Sequence, residues 1–252
     1  MLQPAYTPLF DTVLAFAARP EYESELTSAR IAFARHTGEI FDDDRSFEPR
    51  MQAFLDWYLF DRPLEPYGEP PVRAYPIVNK LAPEAAEPFR LMSRTVHGIF
   101  EFAQVHADAV TVRNVLTLAR YKVINRGPLA GVIKGDLFEG RLVPFEGGYH
   151  FSTAFIFHPR SMRSRIVRAL SRSVRGDSPE PVQEAIFTLS RMAGRAERYR
   201  NVPMKSVYDF ARPPPKVDAA PMKFDPASVA GRLGRLLPPP DDEVSAPVVR
   251  EG

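Results

Sequence analysis

Between Phe47 and Asp61 the chain reads FEPRMQAFLDWYLFD, gathering the single tryptophan, a tyrosine and three phenylalanines into about four helical turns. Phe47, Met51, Phe54, Leu55, Tyr58 and Leu59 recur at spacings of three and four, and Trp57 and Phe60 widen that stripe. An apolar surface this broad needs cover on two sides, so the segment predicts a helix packed between other elements. Its start chemistry agrees. Asp42, Asp43 and Asp44 favour the positive end of a helix dipole, Ser46 precedes the first turn, and Pro49 lies where the missing N–H costs nothing. Asp61-Arg62-Pro63 stops it.

Helical spacing also predicts helices over Pro8–Ala18 (Leu9, Val13, Phe16, Ala17) and Glu21–Thr37 (Tyr22, Leu26, Ala29, Phe33, Ala34), the second stopped by Gly38. The proline-rich stretch Pro63–Pro76 reads as a strap with little regular structure, and Pro83–Arg94 as a short helix. Then the period changes. Gly98–Gln104, Ala109–Asn114, Thr117–Ile124, Asp136–Pro144 and Tyr149–Phe157 are rich in β-branched and aromatic residues, with Glu146-Gly147-Gly148 as a hairpin turn. Five such strands predict a small, strongly bent antiparallel sheet or SH3-like barrel. Helices follow at Pro159–Val174 and Pro179–Arg200. The expected fold class is α+β: one domain over 1–211, helical over 1–95, β-rich over 96–158 and helical again over 159–200. From 212 to 252, prolines and small polar residues predict a flexible tail. Within it Val229, Leu233, Leu236 and Leu237 mark a short amphipathic stretch that either orders on a partner or only fluctuates.

The helix Phe54-Leu55-Asp56-Trp57-Tyr58-Leu59-Phe60-Asp61, followed by the hairpin from Gly135 to Ser152 with its GDLFEGRLVPF start, resembles an uncharacterised bacterial protein family. The resemblance spans roughly residues 40–160 and implies a shared fold, with no activity to carry over. Some related bacterial chains add a cysteine-rich zinc module; this chain cannot, having no cysteine.

Chemistry is harder to find. The absence of cysteine excludes disulfides, thiol catalysis and cysteine zinc sites, and fits a reducing cytoplasm. No run reaches the ~18–20 apolar residues of a membrane span, and the N-terminus lacks the basic start of a secretory signal. Asp42, Asp43, Asp44 and Asp61 suggest a metal site only weakly, because DDDRSFEP lacks the glycine and distal glutamate of a calcium loop. His36, His97, His106, His150 and His158 form no H-x-x-x-H pair; His150 and His158 flank one strand and are the focus of an enzymatic reading. There is no G-x-S-x-G elbow and no phosphate-cradling glycine loop. No catalytic residue, metal or cofactor is assigned.

The clearest partner signal is electrostatic. Residues 1–70 carry 13 acidic against 6 basic side chains, whereas 160–200 carry 10 arginines against 4 acidic residues. Intramolecular attraction is one explanation and an acidic partner the other. On a helical wheel Arg160, Arg163, Arg165, Arg168, Arg172 and Arg175 share one side of Arg160–Arg175, opposite Met162, Ile166, Val167, Ala169, Leu170 and Val174. The plainer reading is a solvated face. The leading functional expectation is a non-enzymatic, cytoplasmic interaction or regulatory (adaptor) protein that meets a protein partner through these arginines, the tail, or both. Nucleic-acid binding by residues 160–200 is the alternative, and an enzyme centred on the sheet histidines the third.

Overall fold

A computed structural model describes residues 5–106, 109–124, 131–173 and 180–216, apart from the side chains of 173, 180 and 181. The chain divides into Met1–Ala220 and Pro221–Gly252. The tail expected from 212 lies, beyond 216, outside the described residues, as do Val174 and Arg175 of the arginine-rich segment.

The N-terminal helices are α1 (Thr7–Ala17), α2 (Glu23–Thr37), α3 (Phe47–Phe60), α4 (Pro71–Val78) and α5 (Pro83–Met92). The aromatic helix α3 is covered on two sides, as its width requires. Phe54 and Trp57 meet Phe33 of α2 at ring separations of 5.6 and 5.5 Å, Phe60 meets Phe10 of α1 at 6.1 Å, and the Tyr58 hydroxyl donates to the Ala17 carbonyl at 3.2 Å. The sequence pattern misses two buried polar residues on this helix, Arg50 and Asp56. It also misses α4. The expected strap ends in a helix because Pro71 occupies its first turn, where a proline's fixed φ helps, and Pro76 sits close to its end. Pro71, Val72, Ala74 and Pro76 are its buried face.

Gly38 ends α2 at φ +84°, with its amide on the Ala34 carbonyl at 2.8 Å. Only glycine adopts that backbone without strain, so Gly38→Ala is expected to cost about 1–3 kcal/mol, read as a lowered denaturant midpoint at unchanged m-value.

The strands are β1 (Val96–Val105), β2 (Ala109–Asn114), β3 (Arg120–Ile124), β4 (Leu137–Phe145), β5 (Gly148–Phe151) and β6 (Ile156–Phe157). Their order is β1-β2-β3-β5-β4-β6, and β1 also pairs with β4, so the first five close into a ring. The spatial run β4-β1-β2-β3 is a Greek key. All neighbours are antiparallel except β3 and β5, which run parallel at Val123–Tyr149 and Ile124–His150. The sheet is therefore mixed, and closure is the reason: five strands cannot alternate direction all the way round a ring. Phe100, Phe102, Val110, Val112, Val123, Phe138 and Leu142 fill the lumen.

Alternation sends Ile99 and Leu137 to the outside of the barrel. There they join Met162, Ile166, Leu170, Ile186, Leu189 and Met192 in a second core, built with α6 (Arg163–Ser173), α7 (Glu180–Arg198) and α8 (Met204–Val207). The strand expected over Tyr149–Phe157 is broken between β5 and β6. The Ser152 amide stays on the Arg141 carbonyl at 2.9 Å, but the Ser152 hydroxyl turns aside to donate to Asp56 and accept the Ala154 amide at 3.2 Å. Among the described residues no helix is long and apolar enough to cross a membrane.

Candidate functional site

The arginines of α6 and the turn before it divide into two groups. Arg160 forms a fork on Asp136, with Nη2 2.9 Å from Oδ2. That bond holds the Asp136 carboxyl below its ordinary value in spite of burial. Arg163 donates from Nε to Glu101 at 3.0 Å, and Arg113 of β2 donates to the same carboxylate. Burial alone would raise the Glu101 carboxyl, but the two guanidiniums bring it below its usual range. Arg165 reaches across to the end of α8, where Nη1 donates to the Lys205 carbonyl at 2.9 Å. These three arginines fasten α6 to the barrel and to α8. Arg168 and Arg172 are exposed and make no hydrogen bond or ion pair among the described residues.

The histidines singled out from sequence are core residues. His158 is buried with Nδ1 3.2 Å from the Tyr208 hydroxyl, and burial lowers its pKa from 6.5 to about 4, opposed by the charge of Glu139. His150 is buried beside Tyr6 and Phe145. Unforeseen is Glu139, on the outer face of β4, which joins His97 Nε2 at 3.2 Å and the Ser190 hydroxyl of α7. A nucleophilic relay needs the imidazole between hydroxyl and carboxylate. Here the carboxylate is central, Ser190 is buried, and the imidazole is not placed to take its proton. A second seam joins α3 to the barrel. Asp56 accepts from Gln52 at 2.9 Å and from Ser152, and burial raises its carboxyl despite the Arg141 charge and these two donors. Nearby, Arg141 forks onto Asp61, with Nη1 3.0 Å from Oδ1 and a further bond to Thr95.

In the acidic run before α3, Asp44 is spent internally, while Asp42 and Asp43 are exposed. Asp44 accepts from Arg198 Nε at 2.8 Å and from the Phe41 amide at 3.0 Å, with Arg50 Nη1 3.4 Å away. Burial pushes this carboxyl up, and those donors more than reverse it. Ser46 does not cap its own helix; its hydroxyl and amide go to Glu197 of α7. Among the described residues no group of three histidine, aspartate or glutamate side chains is arranged to hold a metal ion.

Arginines from α3 and α7 gather at the C-terminal end of α2. Arg50 donates to the carbonyls of Thr37 and Gly38 at 3.0 Å and Glu39 at 2.9 Å. Arg198 donates to the Glu39 carbonyl at 2.7 Å, and Arg191 to that of His36. Cations belong at the negative end of a helix dipole, and these guanidiniums satisfy carbonyls that the helix leaves open. Beside them lies a cleft of about 170 Å³, which Arg195 and Tyr199 also line, as do Pro214 and Pro215.

A family profile described as a family of unknown function (DUF7986) matches residues 22–200, from the start of α2 past the end of α7. It thus spans the barrel, the α6 arginines and the cleft. Comparison with curated proteins gives no match, nor does comparison with solved structures. The match covers well over half of the chain, and the protein belongs to DUF7986, a family of unknown function.

Proposed function

We propose that this protein is a non-enzymatic adaptor or regulatory protein of the cytoplasm, and that it docks an acidic protein surface on Arg168 and Arg172 of α6. The carrying observation is the division of labour on that helix. Arg160, Arg163 and Arg165 are bonded to the body of the protein, while Arg168 and Arg172 are exposed and free of internal partners among the described residues. Guanidiniums with no structural duty lose nothing internal when a partner engages them, and exposed charge of one sign accelerates encounter with the opposite sign.

The test is the double variant Arg168→Glu, Arg172→Glu. Both side chains are exposed, so thermal stability should stay within about 0.5 kcal/mol of the wild type. Nuclease-treated pull-downs from the host, quantified by mass spectrometry, should lose a specific protein with this variant. They should keep it with a chain ending at Ala211. Equal recovery by the double variant and the wild type overturns the reading.

A second reading, nucleic-acid binding, draws on a different observation. Five-stranded Greek-key barrels include the OB-folds, which bind oligonucleotides across the face of strands 2 and 3. On the outward face of β2 and β3, Arg113 pairs across from Arg120 and Thr111 from Lys122, and Arg120 and Lys122 are exposed. That is an analogy of architecture, and architecture alone does not assign function. It predicts affinity for single strands that falls steeply with salt, with a shallower slope once Arg120 and Lys122 are replaced by glutamate.

A further inference from the structure

The basic cleft at the end of α2 holds donors that helix capping does not use. Arg50, Arg191 and Arg198 use part of their donor sets on carbonyls and carboxylates, but Arg195 does not. It is exposed, its guanidinium lies 5.2 Å from the centre of the Tyr199 ring, and that guanidinium makes no hydrogen bond or ion pair among the described residues. Arg191 is almost wholly buried, yet its Nε is buried without any partner. A buried N–H left unbonded is costly unless something outside the chain accepts from it.

The charge count points the same way. Arg50, Arg191, Arg195 and Arg198 line the cleft, and Lys216 stands close by on Glu184 at 3.0 Å. The facing carboxylates are Asp44 and Glu184, bonded to these cations, and Glu39, which lines the cleft. Four arginines line the cleft itself against one carboxylate, Glu39, while Asp44, Glu184 and, farther off, Glu139 and Glu197 answer part of that charge from outside the lining. The pKa of Arg50 falls to about 10, through burial first and the charge of Arg198 second.

We propose that this cleft binds a phosphoryl group. Such a group carries about −1.5 to −2 charges near neutral pH and offers three acceptor oxygens. Planar guanidinium forks fit that array in pairs, which isolated lysines do not. The cleft's volume of about 170 Å³ admits a small oxyanion or the head of a phosphomonoester. Gly194 leaves room for the Arg50 guanidinium: a Cβ there would stand 3.0 Å from Arg50 Nη1 and 3.2 Å from its Cζ. The site is separate from Arg168 and Arg172 and does not depend on the adaptor reading.

Isothermal titration of the full-length protein with inorganic phosphate, and separately with free phosphoserine, tests this at low ionic strength against a matched chloride control. Saturable binding is expected, weakened roughly tenfold or more in Arg195→Ala, since a charge-assisted bond is lost. The Arg195 side chain carries no internal hydrogen bond or ion pair, and its contact with the exposed Tyr199 ring is worth about 0.5–1 kcal/mol at most, so the unliganded melting temperature of that variant should move little. Arg172→Ala, an exposed arginine outside the cleft, should bind as the wild type does. Tighter binding of phosphoserine than of phosphate identifies a phosphorylated ligand, and equal binding identifies the free ion. Non-saturable heats, or equal affinity in Arg195→Ala and wild type, overturn the proposal.

Discussion

Replacing Arg50 with methionine is expected to lower stability by about 3–5 kcal/mol, the range for removing one partner from a buried charged network. Arg50 is 2% exposed. Methionine keeps much of its volume but none of its donors. The carbonyls of Thr37 and Gly38 lose their guanidinium, and Asp44 keeps Arg198 but loses its second cation. Arg50→Lys should recover only part of the loss, because one ammonium cannot span the carbonyls of Thr37, Gly38 and Glu39 as a planar fork does. Denaturant unfolding at neutral pH measures both. A loss under about 1 kcal/mol for the methionine variant would mean that Arg191 and Arg198 hold the end of α2 without it.

The second large effect is a pH dependence centred on His158. Burial holds its pKa at about 4 in the folded protein, against 6.5 for the free side chain. Between those values the unfolded chain takes up a proton that the folded protein refuses. Stability present above about pH 6.5 is therefore lost as the pH falls towards about 4, by about 3 kcal/mol across the window. The group facing the ring from α8's end is Tyr208, and Glu139 on β4 is the charge that favours protonation. Asp56 works in the opposite direction. Its folded carboxyl is raised, so the folded state holds a proton the unfolded chain has released, and its share of stability grows as the pH falls. His158→Phe removes the first contribution and leaves the second. Urea midpoints measured from about pH 7 down to about pH 4 should fall steeply in the wild type and much less in the variant. Parallel curves would show that His158 takes up its proton without unfolding the core.

Helices α1, α2, α3 and α5, the strand segments and both basic helices are readable from sequence because each carries its own period. Apolar residues at 3–4 spacing, or alternating ones, report local geometry directly. The places where reading fails share one cause. Pro71–Val78 looks like an irregular strap since propensity counts its prolines against it, whereas burial of Val72, Ala74 and Pro76 outweighs them. The break at Ser152 reads as strand because its neighbours are aromatic; the hydroxyl's bond to Asp56, 96 residues away, decides otherwise.

The candidate sites divide in the same way. The amphipathic pattern around Arg160–Arg172 is a property of sequence, but which arginines remain free depends on Asp136, Glu101 and the end of α8, each brought there by the fold. The cleft has no sequence signature at all. Its arginines come from α3 and α7, more than a hundred residues apart, and meet only where α2 ends.

By itself the sequence determined the class of fold, the order of most of its elements, the charge contrast between residues 1–70 and 160–200 and the absence of thiol chemistry. Those follow from short-range periodicity and composition, which each segment carries wherever it lies. Only the tertiary structure decided the ring closure with its parallel pair, the burial of Arg50, Asp56, Glu139 and His158, and the convergence of four guanidiniums on one cleft. A buried charge is tolerated only where distant segments supply its partners, and no local pattern records which distant segments will meet.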